Sequence, residues 1–287
     1  MIALALHGGA GAKAGRDYGA EIAHMREVAS LARESLRAGS RALDVVTEVV
    51  AALEDSGLYV AGRGASPNAA GFYELDASLM DGRSRRCGAV AALQGFPNPV
   101  RVARAVMEAT PHVMLAGEGA ALFAHEQGFA ALADEADYFT RAGRFESNHP
   151  PGTLAHGTVG CVALDHHGGL AAATSTAGVF GKLYGRVGDT PLIGAGTWAD
   201  GQTAVSCTGQ GEYFIRVSAA AQTAFRHAGG QGLAEASEAV LAEIVAMGGE
   251  GGLIALNMHG EVALPFRSQG MKRAWFGPDH EITSEAF

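Results

Sequence analysis

The sequence is short of positive charge: Lys and Arg number 21 against 30 Asp and Glu, a formal net charge of −9. No basic field is available to hold a phosphate backbone, so nucleic acid is excluded as an expected partner. Cysteine is scarce as well. Cys87, Cys161 and Cys207 are scattered through apolar runs with neither paired nor metal-ligand spacing, which argues against a disulfide framework and a structural zinc site. Reduced, buried thiols in a cytoplasmic protein are the expectation. No apolar stretch is long enough to span a bilayer, so no membrane partner is expected. The opening Met1-Ile2-Ala3-Leu4-Ala5-Leu6-His7 lacks the basic n-region and the length of a secretory leader. What is present is a chain of 287 residues, long enough to bury a sizeable core, with 41 glycines. Apolar runs separate those glycines, which suggests tight turns and close backbone approaches rather than disorder.

Residues 2–6 read as a buried strand ending in His7-Gly8-Gly9-Ala10-Gly11. The run from Gly9 to Ala14, Gly-Ala-Gly-Ala-Lys-Ala, fits the G-x-G-x-x-A dinucleotide fingerprint, so a nucleotide-binding module is one reading. That reading requires a second strand after the first helix, with an acidic residue about 20 positions past the glycines. Two helical patterns follow instead, over 18–36 and then from a cap at Ser40 to Leu53. Past the loop from Gly57 to Gly64, strands are expected at 73–80 and 87–93. Asn98 reads as the cap of a helix with Pro99 at its first position, running to about residue 109, and a strand and helix follow to residue 127.

From about residue 134 to 157 periodicity gives way to charged residues and Asn148-His149-Pro150-Pro151-Gly152, which reads as an exposed linker. Structureless connections of this length are usually functional. Residues 158–176 then read as a hairpin turning at His166-His167-Gly168-Gly169; neighbouring histidines in such a turn diverge, which argues against a metal. A loop over 178–196, a strand over 203–208, helices over 212–228 and 233–247, and a hairpin of 252–257 with 261–266 complete the pattern. Helices combined with hairpin-linked strands suit two packed sheets with helices outside.

The chemistry centres on Gly157-Thr158-Val159-Gly160, where the linker meets the hairpin. A threonine hydroxyl is a weak nucleophile. If the bond between Gly157 and Thr158 is cut, the freed α-amine, with an ordinary pKa of about 7.7–8.0, lies beside that hydroxyl and can act as its base. Two more hydroxyl-rich segments follow, Thr174-Ser175-Thr176-Ala177-Gly178 and Ser206-Cys207-Thr208-Gly209-Gln210-Gly211. Each hydroxyl alone reads as a strand or turn cap. Between them Gly185-Arg186-Val187-Gly188-Asp189 reads either as a surface ion pair or as an amino-acid clamp, guanidinium on carboxylate and aspartate on ammonium.

Together with Ala61-Gly62-Arg63-Gly64, Glu74-Leu75-Asp76-Ala77-Ser78-Leu79-Met80-Asp81-Gly82 and Gly270-Met271-Lys272-Arg273-Ala274-Trp275, these motifs resemble the plant-type L-asparaginases and isoaspartyl aminopeptidases. These are N-terminal-nucleophile hydrolases, and the resemblance spans nearly the whole chain. It implies an α+β fold, a four-layer αββα sandwich, in one domain over 1–287. It also implies cleavage into an α chain, 1–157, and a β chain, 158–287, that remain associated as a homodimer of such pairs. Carried over, Thr158 is the nucleophile and Thr176 supports it. Arg186 and Asp189 hold the substrate's α-carboxylate and α-amine, and Thr208 with the substrate-lining Gly209 forms the oxyanion hole. The implied substrates are asparagine and β-aspartyl dipeptides; a glycosylasparaginase acting on N-linked glycosyl-asparagine is the alternative. No cofactor is implied beyond a structural sodium ion, which would use backbone carbonyls between Gly57 and Gly64 and no side-chain ligand. Two positions depart from the family pattern. Val60 stands where asparagine is usual, and Ala177 replaces the first glycine of Thr-Gly-Gly. An isopropyl group cannot supply an amide's hydrogen bonds, so slow maturation is expected.

Overall fold

The structure, a computed structural model, describes residues 1–140, 157–278 and 280–287. The first strands are β1 (Ala3–His7), β2 (Leu75–Asp81), β3 (Cys87–Leu93), β4 (Met114–Ala116), β5 (Val159–Leu164) and β6 (Leu170–Thr176). Then come β7 (Thr197–Ala199), β8 (Thr203–Gly209), β9 (Gly251–Asn257), β10 (Val262–Ala263), β11 (Phe266–Arg267), β12 (Arg273–Phe276) and β13 (Thr283–Glu285). One sheet has the order β13-β12-β1-β5-β6-β2-β3-β4; the other runs β10-β9-β8-β7, with β11 also paired to β9. Among the described strands, only β3 and β4 pair in parallel.

Strand alternation decides which side chains reach which layer. Leu4, Leu6, Val159, Cys161, Ala163, Ala171 and Ala173 join one core with α1 (Gly19–Arg37), α2 (Ala42–Asp55) and α3 (Pro99–Ala109). Ala3, Ala5, Val162 and Ala172 point the other way, to a second core shared with β8 and β9. Beyond β4 lie α4 (Gly117–Glu126) and α5 (Glu135–Tyr138). The outer side of the small sheet is covered by α6 (Gly211–Val217), α7 (Ala219–Ala228) and α8 (Leu233–Ala246). Helices, sheet, sheet and helices are thus stacked in the four layers expected. Alanines on the facing strands let the sheets approach closely while leaving room for the hydroxyls described below.

Several local expectations change for tertiary reasons. Ser40 does not cap α2; its hydroxyl pairs with Ser35, and the Ala42 N–H donates to the Asp165 carboxylate in the β5 to β6 turn. Asn98 is the N-cap residue of α3 with Pro99 first in the helix, as expected, but it is left-handed at φ 50° and its side chain makes no capping hydrogen bond. The Val100 N–H instead donates to Glu54 at the end of α2, a buried carboxyl pushed up to about 7 by burial. The helix expected over 212–228 is two helices, broken at Ser218, where φ is 50°. The 178–196 loop is followed by β7, too short to show a period. Of the expected linker, residues 141–156 lie outside the described residues. Its first part is ordered: Asp134 caps α5, and Phe139 is buried and stacked on Tyr73 with ring centroids 3.9 Å apart. No described helix is long and apolar enough to cross a membrane.

Candidate active site

Thr158 immediately precedes β5, and the pairing of Val159 with Ser175 sets it across from the end of β6. It is 7% exposed, and its Oγ1 donates to Thr176 Oγ1 at 3.1 Å. Thr176 Oγ1 also accepts the Gly178 N–H at 3.0 Å, so that hydroxyl is fixed from two sides. Thr158, Thr176, Gly178, Val179, Arg186, Gly188, Asp189, Thr190 and Gly209 line one small cavity. The structure thus brings most of the expected site residues to one place. Thr208 lies next to Gly209 at the end of β8, and its Oγ1 accepts the Ala10 N–H at 3.2 Å. That contact occupies an acceptor position of the hydroxyl and leaves its proton for another partner. The Cys207 N–H donates to Gly196, so alternation turns the Gly209 N–H to the same edge of β8, beyond the end of β7. A Cβ at Gly209 would lie 2.6 Å from both Glu250 O and a Phe214 ring carbon, which explains the glycine there.

The glycine loop after β1 does not form a phosphate cradle. Gly8 N–H donates to Lys272 O, Ala12 N–H to Gly270 O and Ala10 N–H to Thr208, while Gly9 O accepts the Lys272 N–H. The N–H groups of Ala10, Ala12, Lys13 and Ala14 are thus spent on the protein, which argues against the dinucleotide reading. Gly8 is required because a Cβ would stand 2.5 Å from the buried Tyr59 ring.

Asp189 is fully buried with one carboxylate oxygen, Oδ2, that has no hydrogen-bond partner. Burial pushes its carboxyl up to about 7, and Arg186 works against that rise. An orphaned buried acceptor of this kind suits an ammonium ligand. Arg186 is placed differently from the bidentate clamp. Its Nε and Nη2 each donate to Glu212 at 2.9 Å, so that edge of the fork is already occupied. Nη1 faces the cavity wall, 2.9 Å from where a Cβ on Gly188 would stand and 3.3 Å from one on Gly178. Arg186 therefore forms its ion pair with Glu212 rather than with Asp189, and presents a cationic edge to the cavity.

The support beneath this loop was not legible as a site. Lys182 Nζ, buried, donates to Glu74 O at 3.0 Å and lies 4.0 Å from Glu74 Oε2. Glu74 accepts the Gly185 N–H at 2.9 Å and the Asn68 side-chain amide at 2.8 Å. The carboxylate thereby ties the Arg186 loop to the start of β2. Asp76, directly across from Thr176 in the β2 to β6 register, has its carboxyl pushed up by burial, an effect opposed by Lys182. Charged residues inside an apolar strand pattern were the available signal for this cluster.

Gly157 rests on Val60: a Cβ at Gly157 would lie 2.2 Å from Val60 Cβ. Val60 itself belongs to an apolar cluster with Tyr73, Leu75, Phe139 and Ala177. Gly157→Ala is expected to slow cleavage at least about tenfold, the scale of overpacking by one methyl. Val60→Ala should restore most of that loss when combined with it, as read from the time course of fragment appearance. Equal rates for Gly157→Ala alone and together with Val60→Ala would show that the contact does not govern the cleavage segment.

In the loop from Gly57 to Gly64, the carbonyls of Tyr59, Val60, Ala61, Gly62 and Arg63 each accept a backbone N–H. Arg63 O also accepts the Thr140 hydroxyl; the other four keep a second lone pair, so the donor set fits an oxygen-seeking cation in kind. Among the described residues no cluster of His, Cys, Asp and Glu provides side-chain metal ligands. The histidines at 166 and 167 are exposed in the β5 to β6 turn.

Comparison with known proteins agrees with this geometry. A family model described as Asparaginase matches residues 1–283. The chain is 46% identical over 296 aligned positions to an isoaspartyl peptidase of Salmonella typhimurium, covering 95% of this chain and 94% of that one. It is 46% identical to an isoaspartyl peptidase of Escherichia coli, covering 95% and 92%. A plant-type L-asparaginase of Pyrococcus horikoshii is 40% identical over 240 positions, 77% of each chain. With the matched motifs lying around one cavity and the match running almost end to end, the chain belongs to the asparaginase family that these relatives represent.

Proposed function

We propose that this protein hydrolyses the side-chain amide of L-asparagine and the β-aspartyl bond of dipeptides, using Thr158 after cleavage between Gly157 and Thr158. The observation that carries the reading is the cavity shared by Thr158, Thr176, Gly209, Arg186 and an Asp189 carboxylate with an orphaned oxygen. The names of the relatives support the same substrates over glycosyl-asparagine.

In this mechanism the freed α-amine takes the Thr158 hydroxyl proton as Oγ1 attacks the amide carbon. The oxyanion is met by the Thr208 hydroxyl and the Gly209 N–H; losing one such donor typically costs about 2.7–4 kcal/mol. Collapse expels ammonia, or the α-amine of a leaving residue, with the proton returned from the ammonium group. Water, deprotonated by the same amine, then splits the ester to release aspartate and restore Thr158. Nucleophile, base and donors all come from the chain, so the reaction needs no cofactor. A sodium ion on the carbonyls between Gly57 and Gly64 is proposed as structural only. The α and β chains are proposed to stay together, to pair as a homodimer, and to work in the cytoplasm, where free thiols such as the buried Cys161 and Cys207 persist.

The deciding experiment is intact mass of purified protein together with product analysis on asparagine, β-aspartyl-leucine and a glycosyl-asparagine. Two fragments and release of aspartate from the first two are expected; activity on glycosyl-asparagine alone would overturn the reading. The pH profile adds a second check. Asp189 (about 7) and the α-amine (about 7.7–8.0) must both be unprotonated in the free enzyme. Log kcat/KM should therefore fall toward acid with a slope approaching about 2, and Asp189→Asn should reduce it to about 1. A wild-type slope of about 1 would remove Asp189 from the titration.

A further inference from the structure

One buried histidine remains outside the mechanism. His7, at the end of β1 and fully buried, faces the space between the sheets. Its Nδ1 lies 3.0 Å from Thr158 O and its Nε2 3.0 Å from Ser206 Oγ. A carbonyl only accepts, so Nδ1 carries the proton. A neutral ring then leaves Nε2 as an acceptor, and Ser206 must be its donor. Burial keeps the ring neutral, its pKa depressed to about 3.

Ser206 does not stand alone. Its Oγ is 2.8 Å from Thr174 Oγ1, which accepts from Thr197 Oγ1 at 2.6 Å. Thr197 Oγ1 is 2.8 Å from Ser78 Oγ, and Ser78 in turn reaches Thr190 O at 2.6 Å. With the Ser206 proton committed to His7, Thr174 donates to Ser206 and Thr197 to Thr174, while the single Ser78 proton serves two acceptors, Thr197 Oγ1 and Thr190 O. The hydroxyls sit on β8, β6, β7 and β2, and the far end is the residue after Asp189. Gly160 on β5 makes room, since a Cβ there would lie 2.0 Å from Ser206 Oγ and 2.5 Å from His7 Nε2. Thr174 Oγ1 also lies 3.3 Å from Gly196 O, and a buried network of hydroxyls of this kind restricts the geometry of the strands that carry it.

We infer that His7 is a positioning residue for Thr158: its Nδ1–H holds the Thr158 carbonyl, which fixes the tautomer, and the Ser206 hydroxyl at the head of the ladder donates to Nε2 and holds the ring in place. The inference rests on Thr158 being the nucleophile. Once the bond to Gly157 is cut, Thr158 has no covalent restraint on its amino side, and its carbonyl is the remaining handle. Loss of the donor lets the residue rock, so Oγ1 leaves its alignment with Thr176. Binding is set elsewhere, by Asp189 and Arg186, so the effect falls on kcat.

The test compares His7→Asn, whose amide N–H can replace Nδ1–H, with His7→Gln, whose amide reaches the Nε2 position. Asparagine should keep kcat within about threefold, while glutamine should lower it about tenfold or more with KM within about twofold. Ser206→Ala removes the donor that holds Nε2, loosens the ring, and should lower kcat about tenfold, but add nothing in the His7→Asn background. Equal losses for the two His7 variants, or the same Ser206→Ala loss in both backgrounds, would make the ladder mere packing. A measurement on unaltered protein guards against variants that fail to fold. Long-range 1H–15N correlation on 15N-histidine-labelled enzyme should show a neutral, Nδ1-protonated ring, and an Nε2-protonated ring would overturn the inference. If Thr158→Ala stays active, it is the nucleophile assignment that fails, whatever the tautomer.

Discussion

Thr158→Ala should remain a single polypeptide of 287 residues and lose hydrolysis of asparagine by at least about 10⁴-fold, the scale on which nucleophile removal disables covalent hydrolases. Alanine deletes the hydroxyl that Thr176 accepts from at 3.1 Å and, with it, the self-cleavage that would create the base. Thr158→Ser should retain both in part, since the hydroxyl survives while the methyl that restricts its rotamer is lost. Intact mass and aspartate release on the same samples separate cleavage from turnover. An alanine variant that still cuts itself, or that turns over asparagine at more than about 1% of wild type, would end the assignment of Thr158.

The second large effect concerns the substrate's charged ends. Asp189→Asn removes the anion at the orphaned oxygen, and charge-assisted hydrogen bonds of about 1.5–3 kcal/mol each convert to a loss in kcat/KM of about ten- to more than a hundredfold. Arg186→Lys should be comparably impaired although the charge is kept. In wild type the Nε and Nη2 edge holds Glu212 at 2.9 Å while Nη1 remains toward the cavity; a lysine ammonium cannot serve both directions in a fixed plane. N-acetyl-asparagine, which has no ammonium group, should be a poor substrate of wild type. Comparable kcat/KM for asparagine and its acetyl derivative would show that Asp189 anchors nothing, and an undiminished Arg186→Lys enzyme would reduce Arg186 to its pairing with Glu212.

Elements with a strong period were legible from sequence. β1, β5 and β6 fall where alternating or continuous apolar runs put them, and the threonines beside glycines mark the strand ends that meet in the cavity. The helix starts lie close to where the sequence puts them, but their capping groups do not: the acceptors at the starts of α2 and α3 are Asp165 and Glu54, carboxylates brought by other elements. No local pattern encodes a cap that arrives from 123 residues away. The partner of Arg186 is hidden in the same way, since Glu212 begins as a helix-face residue and becomes a ligand only after β8 folds beside the loop. His7 was visible as part of a motif, but its role depends on Ser206 and Thr174, which no spacing rule connects.

The order of the large sheet has a thermodynamic consequence for a molecule divided at residue 158. β1 then belongs to one polypeptide while both its neighbours, β12 and β5, belong to the other, and β2 meets β6 across a third such seam. Unfolding would release two separate chains, and recovery would be a bimolecular reaction. Stability then follows mass action: the thermal midpoint of the divided protein rises with its concentration, whereas that of the continuous Thr158→Ala chain does not depend on this term.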